Sequence, residues 1–122
     1  MWHLLSIKDV LDLHDDVLNP KELVGLAGDK SLEGALGRVD FRITYGRIQD
    51  EFDLAAAYAV AISQGHVFND GNKRTAFSAM DMCLVINGVV LVWDMKAVGD
   101  IIIEVAQGKL DEDELAAWLR QQ

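Results

Sequence analysis

GHVFNDGNKRTAFSAMDMCLVI occupies residues 65–86. Its first half is polar and turn-forming, and its second half is strongly apolar. Gly65 ends the preceding segment, and Asn69 or Asp70 is placed to cap the next one. From Gly71 to Ile86 apolar side chains fall on nearly every face of a helical wheel, which predicts a buried helix at the centre of the domain. Asn87-Gly88 supplies its left-handed stop. A polar loop therefore opens directly onto the helix predicted to be the most buried.

That junction carries chemistry. The first turn of a helix leaves backbone N–H groups without partners, and with the helix dipole they attract anions. Gly71 lets a phosphate approach the backbone closely. Asn72 adds an amide donor, and Lys73 and Arg74 add charge, Arg74 with a fork that fits phosphate oxygens. Asp70 would repel a phosphate unless a divalent cation lay between them, so it points to magnesium. His66 stands just outside the helix. An imidazole ordinarily titrates close to neutral pH, as a general base acting on a hydroxyl must. Base, metal-binding acid and phosphate cradle together describe transfer from a nucleotide to an alcohol. The residue types also allow a plainer reading, a packed histidine followed by an ordinary Asn-Asp-Gly turn.

Outward from the motif the pattern is helical. Leu4–Leu18 has apolar residues at helical spacing, ended by Asn19-Pro20. Residues 20–30 read as a loop. Ser31 is a plausible N-cap for a second helix with Leu32, Leu36, Val39 and Ile43 on one face. An alanine-rich third helix runs from about Phe52 to Ser63. After residue 88, VVLVW at 89–93 suggests a short extended segment. Asp94 then caps a helix to about Ala106, and Asp111 with Glu114 forms a capping box for a last helix ending near Arg120. The sum is an all-α fold of about six helices around a central buried helix, in one domain spanning residues 1–122.

Composition agrees. A chain of 122 residues with 51% hydrophobic content buries about two-thirds of its unfolded surface. A formal net charge of −9 argues against nucleic acid as a direct partner. The single cysteine, Cys83, lies in the apolar run and reads as core in a reducing compartment. The opening MWHLLSIKDVLDLHDD turns acidic too early for a secretory signal. No apolar run approaches the ~18 residues of a membrane span. A cytoplasmic protein is expected.

His66-x-Phe68-x-Asp70-Gly71-Asn72-Lys73-Arg74 resembles the signature of the Fic/Doc superfamily, His-Pro-Phe-x-Asp/Glu-Gly-Asn-Gly/Lys-Arg-x-x-Arg. LHDD at 13–16, GLAGDKSLEGALGRV at 25–39 and TYGRIQDEFDLAAAYAVAIS at 44–63 look like the Doc, or "death on curing", branch. The resemblance covers about Leu4 to Trp93. It implies that His66 is the catalytic base, that Phe68 anchors the loop, and that Asp70 helps hold magnesium. Gly71, Asn72, Lys73 and Arg74 would form the nest for the phosphates of ATP.

Two departures sharpen this. The family's proline is Val67, and its second arginine is Phe77. That loss, with Lys73 in place of the usual glycine, resembles the Doc pattern. It implies a toxin of a toxin–antitoxin system, bacterial or phage-encoded. Such a toxin acts as a protein serine/threonine kinase and passes the ATP γ-phosphate to a hydroxyl of elongation factor Tu, with arrest of translation and growth. The alternatives are a Fic-type AMP or nucleotidyl transferase and an inactive binding module. The Ser/Thr-x-x-x-Glu-Gly/Asn inhibitory spacing of Fic proteins is absent, so restraint is expected in trans, from an antitoxin with a Phd-like segment that folds on binding.

The remaining polar residues have bland readings. His14, at helical spacing from Leu11 and Leu18, reads as a buried or capping histidine, since Asp12, His14 and Asp16 do not share one face. Arg38, Arg42 and Arg47 read as ion-pair partners of nearby acids. Trp93 and Trp118 read as core or partner-contact residues. The acids from Asp111 to Glu114 mark a helix start and lack the ligand spacing of a calcium loop.

Overall fold

The computed structural model describes residues 1–28 and 30–122. Six helices succeed one another along the chain: α1 (Ile7–Val17), α2 (Leu32–Thr44), α3 (Glu51–Gly65), α4 (Asn72–Ile86), α5 (Met95–Ala106) and α6 (Glu112–Arg120). Among the described residues the only strand-type pairing is an isolated antiparallel bridge between Leu26 and Phe68. The loop expected over residues 20–30 includes Asp29, which lies outside the described residues.

Short polar side chains start five of the helices. Ser6 and Asp9 form a reciprocal capping box on α1, as Asp111 and Glu114 do on α6. Ser31, Asp50 and Asp94 accept first-turn N–H groups of α2, α3 and α5. Each such cap is worth about 1 kcal/mol. The first helix starts at Ile7, later than the apolar spacing from Leu4 suggests. Leu5 is buried ahead of the cap, and its backbone N–H donates to the Tyr58 hydroxyl at 2.9 Å. Residues 89–93, read as an extended segment, enter neither a helix nor a strand pairing.

The centre of the fold is α3, where the sequence pattern points to α4. Eleven of its fifteen residues, Asp53 to Ser63, are buried. It packs against α2, α4, α5 and α6. The reason is side-chain size: Ala55, Ala56, Ala57, Ala59 and Ala61 let neighbouring helices close in on all sides. The α4 helix buries only one stripe, through Thr75, Ala76, Ala79, Met80, Cys83 and Leu84, and leaves Met82, Val85 and Ile86 exposed.

Outer contacts tie the bundle together. Arg42 pairs with Asp113 at 3.1 Å and Glu112 at 3.6 Å, and Arg38 reaches Glu112 at 3.5 Å. The expected ion pair of Arg47 is not formed among the described residues. Trp93 stacks on Trp118 with 6.5 Å between ring centroids and meets Phe77 edge-on at 5.4 Å. Both tryptophans are partly buried against the core.

Candidate active site

The loop from α3 to α4 is built by three local devices. First, His66 takes the left-handed conformation, φ 48 and ψ 41, as the C-cap of α3. It is the one non-glycine residue with positive φ among those described. Gly65, expected to end α3, is its last residue instead. A Cβ there would lie 3.3 Å from Val67 Cγ1 and 3.4 Å from the Ala35 Cβ, too tight for an easy fit. The turn at His66 exposes the imidazole and buries Val67 and Phe68.

Second, Asn72 clamps Phe68. Its Oδ1 accepts from the Phe68 N–H at 3.0 Å, and its Nδ2 donates to the Phe68 carbonyl at 2.9 Å. The side-chain amide expected to serve a phosphate is therefore engaged in shaping the loop. What Asn72 offers an anion is its backbone N–H.

Third, the segment from Asn19 to Ala27 runs alongside the motif. Ala27 N–H donates to the Val67 carbonyl at 2.7 Å and Asn69 N–H to the Gly25 carbonyl at 3.1 Å. Asn69 Nδ2 reaches the Val24 and Leu26 carbonyls, and Leu23 N–H donates to Asp70 Oδ2 at 2.8 Å. These bonds explain a correction at the start of α4. Asn69 and Asp70 do not cap it, because their side chains point back to this segment. The N-cap is Gly71, left-handed at φ 79, and no side chain caps the helix. Open first-turn N–H groups at a helix start are what an anion site requires.

His14 completes the frame. It is 1% exposed, lies flat on Phe68 and contacts the Asp70 carbonyl through Nε2 at 2.7 Å. A carbonyl only accepts, so Nε2 carries the proton. The expectation of a buried histidine holds, but its partner, 56 positions away, leaves no signal in the sequence. Glu22 is likewise unforeseen. Its carboxylate pairs with Arg74, and the guanidinium holds the Glu22 carboxyl below the usual carboxylate range. Lys73 is exposed. Phe77, where the signature has an arginine, packs on Trp93 and cannot serve an anion.

Among the described residues no three His, Cys, Asp or Glu side chains form a metal-binding group. Asp70 is a single carboxylate with one oxygen bound to the Leu23 N–H. That suits magnesium, which is commonly held by one or two carboxylates together with substrate phosphates, better than a metal caged by protein alone. A groove of about 410 Å³ adjoins the site, lined by Lys73, Arg74 and Phe77 of α4 and by Met95, Val98 and Ile102 of α5.

The Fic/DOC family model matches residues 4–84. The chain belongs to this family. Its relatives place it on the Doc branch: it is 35% identical over 118 residues to the protein kinase doc of Escherichia phage P1, covering 96% of this chain and 93% of that one. It is 41% identical over 70 residues to the toxin Doc of Mycolicibacterium smegmatis, covering 56% of this chain and 54% of that one.

Proposed function

We propose that this chain, a Doc-type toxin and protein kinase, transfers the γ-phosphate of ATP to a serine or threonine hydroxyl of elongation factor Tu. The observation that carries the reading is the uncapped, glycine-led start of α4 beside the exposed His66. The backbone N–H groups of the first turn, with Lys73 and Arg74, receive the phosphates. Gly71 leaves room for close approach. His66 takes the proton of the acceptor hydroxyl as the new P–O bond forms, and ADP leaves. Phe68, fixed by Asn72 and His14, holds the loop. Asp70 would be the protein ligand of magnesium, which would supply charge neutralisation for the phosphates. Phosphoryl transfer of this kind depends mainly on positioning and charge stabilisation, which so small a site can provide.

Residues 1–122 act as one toxin domain, and the target places its action in a bacterial cytoplasm. No described helix is long and apolar enough to cross a membrane. An antitoxin in trans restrains it through a Phd-like segment. The groove between α4 and α5, mostly apolar with Lys73, Arg74 and Ser78 as its polar side chains, suits an amphipathic helix carrying an acidic residue.

The test uses purified protein, elongation factor Tu, magnesium and ATP labelled on either the α- or the γ-phosphate, with His66→Ala as control. Transfer of γ-label alone, abolished by His66→Ala, is the expected result. Transfer of α-label would make the protein a nucleotidyl transferase. Equal transfer by His66→Ala would remove the base from the mechanism.

A further inference from the structure

Arg74 is the strongest phosphate donor of the site, yet one of its terminal nitrogens is already occupied. Its Nη2 donates to Glu22 Oε2. The other oxygen of that carboxylate accepts from the Asn19 N–H at 2.7 Å. The Asn19 carbonyl in turn accepts from the Glu22 N–H at 3.0 Å, and Pro20 lies inside this turn. Glu22 is thus held in place from its own side and presented to the guanidinium.

The location of the contact gives it meaning. A Cβ on Gly71 would stand 3.6 Å from the same Arg74 Nη2, so the nitrogen lies over the helix start. The carboxylate therefore sits at the mouth of the anion site. The next residue, Leu23, binds Asp70 Oδ2 through its N–H. Two adjacent residues of one loop thus engage the two groups that a nucleotide with its cation would need. An anion arriving at Arg74 meets a carboxylate already paired there.

We infer that Glu22 is an internal competitor for the nucleotide phosphate at Arg74 and that it sets the affinity of this site for ATP. The inference rests on the reading of Arg74 as a phosphate-binding residue. Glu22 touches no reacting atom. It acts through Arg74, both by occupying a donor and by placing negative charge where a triphosphate must enter. Binding of ATP exchanges one charge-assisted hydrogen bond of Arg74 for another.

The experiment is a calorimetric titration of ATP, and separately of pyrophosphate, with and without magnesium. Four proteins are compared: the native chain, Glu22→Gln, Arg74→Ala and the double variant. Glu22→Gln is expected to tighten ATP by about three- to tenfold, the range for a part-exposed ion pair with an added repulsion. In the Arg74→Ala background the same change is expected to have no effect, because the coupling runs through Arg74. An equal gain in both backgrounds would reduce Glu22 to bulk charge and overturn the inference. Weaker binding by Glu22→Gln would overturn it in the other direction, making Glu22 a support for Arg74. Binding that Arg74→Ala leaves unchanged, or no binding by any of the four, would overturn the phosphate-site reading itself. Thermal melts check that each variant folds. Glu22→Asp, one methylene shorter on the same loop, is expected to fall between the native chain and Glu22→Gln.

Discussion

The imidazole of His14 lies parallel to the Phe68 ring, with 3.8 Å between centroids and 6° between planes, and its Nε2–H ends on the Asp70 carbonyl. One side chain of α1 therefore fixes both the anchor of the motif and the residue before its glycine. The two roles can be separated. His14→Phe keeps a stacked ring and leaves the carbonyl without its donor, and His14→Ala removes both. His14→Ala is expected to cost about 2–4 kcal/mol of stability, the range for truncating a large buried side chain. His14→Phe is expected to remain folded and lose transfer activity, since the start of α4 shifts. Denaturant melts and single-turnover kinetics on both variants check this.

Gly71 faces a conformational demand more than a spatial one. Its φ is +79, and a Cβ would find His14 and Arg74 atoms at 3.6 Å, an ordinary contact. Gly71→Ala should therefore cost about 1–2 kcal/mol through left-handed strain. Asparagine tolerates that region better, so Gly71→Asn should cost less. Both are expected to weaken ATP binding, because any side chain stands between the backbone and a phosphate. A melt paired with an ATP titration separates the two effects.

Arg120 anchors α6 to the start of α3. Its Nε and Nη2 donate to the two Asp50 oxygens at 2.8 and 3.0 Å, and Nη2 also reaches Asp53 Oδ1 at 2.7 Å. The guanidinium, helped by backbone N–H groups of α3, holds the Asp50 carboxyl below its ordinary value of 3.8. A depressed carboxylate contributes stability above the unfolded value and loses it as pH falls toward the native one. Arg120→Ala should destabilise the protein by about 1 kcal/mol at neutral pH, a figure reduced by partial solvent exposure. The difference from the native chain should shrink below about pH 4, where a pH series of urea midpoints reads it directly.

Alkali should act through the core. Burial pushes the Cys83 thiol up to about 12 from 9.0 and the Tyr58 phenol up to about 12 from 10.0. Between those values the unfolded chain has lost protons that the native chain keeps. Stability is therefore full below about pH 8 and declines as pH rises from there toward 12. Cys83→Ala should flatten the first part of that decline, visible as a smaller drop in Tm between about pH 8 and 10. The native thiol should resist iodoacetamide at about pH 8.

The helices are legible in the sequence because their causes are local. Ser31, Asp94 and the Asp111–Glu114 box announce their helix starts within four residues, and the structure uses all of them. The order of burial is less legible. The larger side chains of α4 draw the eye, but the apolar run from Leu54 to Ile62 in α3 is unbroken, and its alanines bury by being small. The start of α4 misleads because Asn69 and Asp70 are good capping residues whose partners lie in another segment. His14 and Glu22 show the same limit. Each side chain looks ordinary beside its neighbours and acquires a role only when the loop after α1 folds back on the motif.

At position 66 the chemistry and the backbone favour different residues. The left-handed turn that ends α3 is one glycine adopts freely, whereas the proposed transfer reaction needs an imidazole there. Replacing His66 with glycine should relieve roughly 1 kcal/mol of backbone strain while removing the proposed base. For a protein whose activity harms its host, that is a consequential slope. Selection for stability and selection for a harmless chain push the same residue in the same direction. On the proposed mechanism, only pressure to keep the toxin active holds histidine in place.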